Sequence, residues 1–129
     1  MTVKYECVEL SQEVIDDLFL MESQGATGFI AKQVARFFDQ LPDHIQSIDD
    51  SIVSKDFDSL RHHIHKINGF SGILGAHKVR EVALEMEKNA IDKNLENIPV
   101  LLDNLKVKIE TASIELRRIS EISLKNSCN

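Results

Sequence analysis

Apolar residues recur at alternating steps of three and four along most of the chain, the spacing of an amphipathic helix. The clearest run holds one face of the C-terminal third with seven residues: Ile98, Leu102, Leu105, Ile109, Ala112, Leu116 and Ile119. Pro99 falls in the first turn of this segment, where proline is tolerated. The pattern predicts a long helix that packs along one face in a helical bundle.

Two helices are predicted in the first half of the chain. Ser11 is a good N-cap for a short helix that continues to about Gln24 and ends at Gly25. Thr27 is expected to cap a long second helix. Its apolar phase persists beyond Pro42, which predicts one kinked helix rather than two.

Two further helices are predicted after residue 55, ahead of the long C-terminal helix. Asp56 is expected to cap the first of them, and Gly75 to end it in a left-handed turn. Its buried stripe comprises Phe57, Leu60, Ile64, Ile67, Ser71 and Leu74, and the next helix has Val79, Val82, Ala83 and Met86 on its inner face. Because short loops between amphipathic helices favour antiparallel neighbours, the predicted fold is all-α, an antiparallel four-helix bundle with a short additional N-terminal helix.

Length and composition predict one domain. With 129 residues, of which 43% are hydrophobic, the chain has enough apolar surface for one core, so residues 1–129 are expected to form a single helical domain. Residues 1–10 alternate weakly, a pattern compatible with an extended N-terminal arm. No run of 18 apolar residues and no signal-peptide core is present, so we expect a cytoplasmic protein without a membrane segment. Cys7 and Cys128 are expected to be free thiols.

One histidine has two glycines as its helical neighbours. His65 is followed by Gly69 and Gly72, four and seven positions on. Glycine in a helix costs roughly 1 kcal/mol relative to alanine, so two on one face call for a reason. At about 100° per residue, His65 lies roughly 130° from the centre of the buried stripe. The pattern predicts an exposed imidazole with room for a large partner beside it.

The residues around His65 predict a basic docking surface. It comprises Arg61, His62, Lys66, Asn68, Gly69 and Gly72. The segment from residue 59 to residue 80 contains four cationic residues and no acid, in a chain of formal net charge −6. Such a surface suits a phosphoryl group and an acidic partner, although a charge run can also mark a merely solvated face. Nucleic acid is not expected as a partner, because the net charge is negative and the patch is short.

The stretch from residue 65 to residue 76 resembles the signature of histidine-containing phosphotransfer (HPt) domains, His-x-Leu-Lys-Gly-x-x-x-x-Leu-Gly-Ala. His65 falls on the phospho-accepting histidine, Ile67 on the buried leucine and Gly69 on the first glycine, and residues 74–76 match the closing triplet. Asn68 departs from the pattern, which commonly has lysine at this position.

The resemblance implies that the chain carries a phosphoryl group on His65. The donors and acceptors would be aspartates of response-regulator receiver domains in a multistep two-component phosphorelay, with a hybrid sensor histidine kinase as a further partner. The chain would have no ATP-dependent kinase activity, and it lacks a Gly-x-x-x-x-Gly-Lys-Ser/Thr loop for nucleotide phosphates. It would act as a monomer and bind no cofactor itself, and Mg²⁺ is expected on the receiver.

Two alternatives remain open from the sequence. His62, His63 and His65 crowd one turn, but no nearby cysteine or His-x-x-x-His pair supplies further metal ligands, so no metal site is predicted. The second alternative is a phosphorylation-silent adaptor that binds a kinase or receiver through the same face. Asn68 keeps this alternative open, and Asn68→Lys is expected to stabilise phosphohistidine or to speed transfer.

Overall fold

The computed structural model describes residues 6–128, and this part of the chain contains five helices and no strand. The helices are α1 (Gln12–Ser23), α2 (Phe29–Ser54), α3 (Phe57–Ile73), α4 (His77–Ile91) and α5 (Ile98–Ser127). The predicted all-α class is confirmed. Half of the predicted N-terminal arm, residues 1–5, lies outside the described residues.

Helices α2 to α5 form the antiparallel four-helix bundle that the sequence predicts. Each helix packs against the next, α5 closes the bundle against α2, and the short α1 lies on α2. All seven apolar residues predicted for the face of α5 are buried, as are the four predicted on α4. The faces read from the sequence therefore meet in one hydrophobic core.

Local signals set several helix ends as predicted. Ser11 Oγ accepts a hydrogen bond from the backbone nitrogen of Val14 at 3.4 Å, and Asp56 caps α3 through Ser59. Gly75 has a φ of +67°, the left-handed conformation expected after α3. Helix α2 runs without a break through Pro42.

The N-terminus of α2 corrects the predicted cap. Thr27 does not cap this helix, because the N-cap residue is Gly28, which has no side chain to offer. Instead, the buried carboxylate of Glu22 on α1 accepts from the backbone nitrogen of Ile30 and from Ser123 Oγ, both at 2.7 Å. A helix packed alongside thus supplies the acceptor that a local residue usually provides.

The residues before α1 lie across the bundle rather than apart from it. In this N-terminal segment (residues 6–11), the backbone nitrogens of Val8 and Glu9 donate to the carboxylate of Glu115 on α5, at 2.9 and 2.7 Å. The backbone nitrogen of Ser11 donates to the carbonyl of Gly75 at 2.7 Å. The segment therefore connects α5 to the turn between α3 and α4.

No helix among residues 6–128 combines the length and the apolar character needed to cross a bilayer. Cys7 is half-buried and Cys128 is exposed, and both are free thiols, as predicted.

Candidate functional site

His65 lies on the exposed face of α3, and 69% of its side-chain surface is accessible. The predicted stripe lies on the other side of the helix, where Leu60, Ile64 and Ile67 are buried in the core. The exposure predicted from the helical wheel is confirmed.

The imidazole of His65 is held by Glu87, a residue that the sequence analysis did not single out. Nδ1 of His65 lies 2.9 Å from Oε1 of Glu87, on α4. A carboxylate has acceptors only, so Nδ1 carries the hydrogen in this bond, and in the neutral form of the ring the lone pair is then on Nε2. Within the described residues, Nε2 has no hydrogen-bond partner. The site therefore holds the ring through Nδ1 and directs Nε2 outward.

A weak signal for Glu87 exists in the sequence. It lies one position after Met86 and four after Ala83, at the border of the buried face of α4. An acid at such a border faces the neighbouring helix, which here is α3. Single-helix wheels give no information on which residue of the neighbour it meets.

The structure places Asn68 differently from the sequence prediction. Only 7% of its surface is exposed, so its amide is largely covered rather than open on the face of His65. Its Nδ2 donates to Oε2 of Glu87 at 3.3 Å, and its Oδ1 accepts from Nε of Arg80 at 3.1 Å. The amide lies beneath side chains of α4, which a wheel drawn for α3 alone does not show.

The other predicted docking residues are exposed on the same face. Arg61, His62 and Lys66 are exposed on α3. A shallow depression beside the imidazole is lined by Asp58, Arg61, His62, His65 and Glu87. The surface around the predicted basic patch thus also includes two carboxylates, one from the start of α3 and one from α4.

The two glycines of the motif have different surroundings. A Cβ added at Gly69 would meet nothing within 4 Å, so the surface one turn beyond His65 is open. At Gly72, an added Cβ would lie 3.6 Å from Nε of Arg80 and 3.8 Å from its Cδ. A Cβ at Gly72 would therefore lie in ordinary contact with a side chain of α4, whereas the surface at Gly69 is open.

A second histidine cluster lies behind the site and joins α2 to α3. Nδ1 of His44 lies 2.9 Å from Nδ1 of His63, and the ring of His62 stands edge-on to that of His63, with centroids 5.1 Å apart. Burial lowers the pKa of both His44 and His63, and the neighbouring histidines lower it further. His63 is half-buried, as predicted.

The metal alternative gains no ligand set from the structure. No group of three or more histidine, cysteine, aspartate or glutamate side chains in residues 6–128 is arranged to hold a metal ion. His65 bonds to Glu87, whereas His63 bonds to His44 on another helix. The adjacent imidazoles thus turn toward different partners.

Comparisons with known proteins agree with this geometry. The family model of the Hpt domain matches residues 33–121, more than half of the chain. No curated protein matches the sequence at a significant level. The chain is similar to the crystal structure of histidine-containing phosphotransfer protein B (HptB) from Pseudomonas aeruginosa PAO1, with a TM-score of 0.77 and 18% identity. That alignment covers 90% of this chain and 97% of the other, and at this identity it shows a shared fold. The family match over residues 33–121, on a helical bundle that exposes His65, shows that the chain belongs to the Hpt domain family.

Proposed function

We propose that this protein carries a phosphoryl group on His65 between aspartates of receiver domains in a multistep two-component phosphorelay. The observation that carries the proposal is the exposed imidazole whose Nδ1 is held by Glu87 at 2.9 Å, so that Nε2 faces away from Glu87. Membership of the Hpt domain family supports the same chemistry.

The transfer balances without a proton donor. The Nε2 lone pair attacks the phosphorus of an aspartyl phosphate, the bond from phosphorus to the aspartate oxygen breaks, and the aspartate leaves as a carboxylate. The imidazole retains the hydrogen on Nδ1 and becomes a phosphoimidazolium. Glu87 lies where it stabilises the positive charge that develops on the ring. In the reverse step, an aspartate of a second receiver attacks the phosphorus and the P–N bond breaks.

The exposed face around His65 would bind the receiver. Arg61, His62 and Lys66 offer hydrogen-bond donors beside the ring, and the open surface at Gly69 admits the partner's backbone. The acidic pocket and the Mg²⁺ that neutralises the moving phosphoryl group would belong to the receiver. A hybrid sensor histidine kinase would supply phosphate through its own receiver, and the protein would work in the cytoplasm as a monomer without using ATP.

The test is transfer of label from a receiver domain that has been phosphorylated with radiolabelled acetyl phosphate. The wild-type chain is expected to take up label that is stable in base and lost in acid, the behaviour of phosphohistidine. His65→Gln should take up none, whereas His62→Gln and His63→Gln should retain measurable label.

Two outcomes would contradict the proposal. Undiminished labelling of His65→Gln would place the phosphate elsewhere. Tight binding of receivers, with no acid-labile label acquired from any of them, would favour the phosphorylation-silent adaptor that uses the same face.

A further inference from the structure

Three hydrogen bonds link side chains of α3 and α4 in a series that ends at the imidazole of His65. Nε of Arg80 donates to Oδ1 of Asn68 at 3.1 Å, and Nδ2 of Asn68 donates to Oε2 of Glu87 at 3.3 Å. The other oxygen of Glu87 receives Nδ1 of His65 at 2.9 Å. A cation on the surface of α4 is thus connected to the candidate nucleophile through two intervening side chains.

Donor and acceptor chemistry fixes the orientation of each group in this series. The guanidinium of Arg80 has donors only, so the amide oxygen of Asn68 must face it and the amide nitrogen must face Glu87. Glu87 then receives one donor on each oxygen, which holds the carboxylate in place. An asparagine free to turn over would direct its oxygen at the carboxylate for part of the time, and the two acceptors would repel each other.

The surroundings explain why these contacts form. Asn68 is 93% buried, and a buried amide without partners is costly, so both of its polar atoms need to be satisfied. Gly72 lies one turn beyond Asn68 and lets the side chain of Arg80 lie against α3, with Nε 3.6 Å from where a Cβ would stand. Neither Arg80 nor Glu87 belongs to the histidine motif.

We propose that Arg80 is a positioning residue for His65. By orienting Asn68 it holds Glu87 against Nδ1, and this keeps the imidazole in the tautomer whose Nε2 is the nucleophile. The inference rests on the proposed phosphotransfer for its biological meaning, but the tautomer itself is a property of the unphosphorylated protein. Arg80 touches neither the phosphoryl group nor the ring, and acts through Asn68 and Glu87.

The primary test is the tautomer of His65 in the full-length protein, read from imidazole ¹⁵N chemical shifts at pH 8. The wild-type ring is expected to carry its hydrogen on Nδ1. Arg80→Met keeps the aliphatic stem and removes the donor, and should shift the tautomer ratio toward the Nε2–H form by roughly two- to tenfold, the range of one hydrogen bond. Arg80→Lys, whose Nζ can also donate to Asn68, should restore most of the wild-type ratio.

Two further variants separate positioning from a loss of charge. Arg61→Met removes a cation from the same face but from outside the hydrogen-bond series, so it should leave the tautomer ratio at its wild-type value. Asn68→Asp is nearly isosteric but directs a carboxylate oxygen at Glu87, so it should shift the ratio at least as far as Arg80→Met. The proposal is overturned if Arg80→Met leaves the ratio unchanged, or if Arg61→Met shifts it equally.

A chemical arm follows the same variants without any receiver. Phosphoramidate phosphorylates imidazoles directly, and ³¹P NMR distinguishes the two phosphohistidine isomers. The wild type should form the Nε2 isomer, and Arg80→Met should lower its rate of formation by the same two- to tenfold factor. Because neither arm needs a relay partner, a wild-type chain that accepts no phosphate from receivers would contradict the proposed function while leaving the positioning role of Arg80 measurable.

Discussion

Three glycines in and after α3 differ in what an added methyl group would meet. At Gly69 it would meet nothing within 4 Å, and at Gly72 it would make ordinary contact with the side chain of Arg80. At Gly75 it would lie 3.0 Å from Cβ of Val14, on backbone with a φ of +67°. One residue type thus gives access to a partner, makes room for a side chain and closes a turn.

The same substitution at two of these glycines should therefore have opposite effects on stability. Gly69→Ala is expected to raise the free energy of unfolding by up to about 1 kcal/mol, because alanine restricts the unfolded chain and favours an exposed helix. Gly75→Ala should lower it by more than about 1 kcal/mol, because a left-handed residue with a Cβ is strained and Val14 blocks it. Urea unfolding followed by circular dichroism measures both. A destabilising Gly69→Ala would contradict the open surface at that position.

Prediction at the residue scale works where one helix decides the outcome. The exposure of His65 and the half-burial of His63 follow from the angle of each residue to the apolar stripe of α3. The burial of Asn68 depends on Arg80 and Glu87, which reach it from α4. The gain expected from Asn68→Lys loses its basis as well, because a lysine would offer Arg80 no acceptor and would stand beside a second cation.

Helices α2 and α3 are joined by a pair of imidazoles that favours the neutral state. One Nδ1 of the His44–His63 pair must donate and the other must accept, so a second proton between them would break the 2.9 Å contact. His62 and Lys66 add positive charge around the pair, and Asp43 opposes them at His44. The lowered pKa values of both histidines follow from burial first and from these neighbours second.

The pair predicts a loss of stability in weak acid. A histidine whose pKa is lower in the folded state binds fewer protons there than in the unfolded state. Its contribution to the free energy of unfolding is therefore complete above its pKa in the unfolded state, about 6.5, and is lost as the pH falls from 6.5 toward its pKa in the folded state. The free energy of unfolding should therefore decline below pH 6.5, and less steeply in the double variant His44→Gln, His63→Gln. His77→Gln, an exposed site on α4 outside the cluster, is the matched control and should keep the wild-type slope. Equal slopes in all three proteins would contradict the assignment.

Helix ends show the same division between local and non-local causes. The caps at Ser11 and Asp56 and the turn at Gly75 follow from the residue itself and were predictable from the sequence. The cap of α2 comes from Glu22 on another helix, so a search for a capping residue next to the helix selects Thr27 instead. Apolar periodicity predicts which face of each helix is buried, but not which polar side chain of a neighbour will meet its ends.

At the scale of the whole molecule, the N-terminal segment (residues 6–11) determines the environment of one of the two thiols. Cys7 belongs to this segment, and its half-buried thiol interacts with Glu115 of α5, whose carboxylate also accepts from the backbone of Val8 and Glu9. Burial, and then the negative charge and hydrogen bond of Glu115, raise the pKa of Cys7 to about 11. Cys128 is exposed at the end of α5.

The two cysteines should therefore react at very different rates in the folded protein. At pH 8, a thiol with a pKa of about 11 has roughly two hundredfold less thiolate than an ordinary cysteine with a pKa of about 8.5. Iodoacetamide should label Cys128 first, and mass spectrometry of the digested protein should find Cys7 largely unmodified. Glu115→Gln removes the charge and should speed the labelling of Cys7. Equal rates at both sites in the wild type would contradict the burial of the Cys7 thiol beside Glu115.

Arg80 reaches Asn68 across the surface at Gly72. Sequence changes on α3 and α4 are therefore coupled at these three positions. A Cβ at position 72 would make ordinary contact with Arg80, so a side chain larger than alanine there would compete with it for space. A residue without an acceptor at position 68 would leave the guanidinium without that partner. Relatives that have asparagine at position 68 are therefore expected to have a small residue at position 72 and arginine at position 80, and to gain or lose the three together. Where lysine replaces the asparagine, the arginine is released from this constraint. The residues that determine the state of His65 thus extend from the histidine motif onto α4. A mutation of Arg80 is expected to impair His65 although the two side chains do not touch.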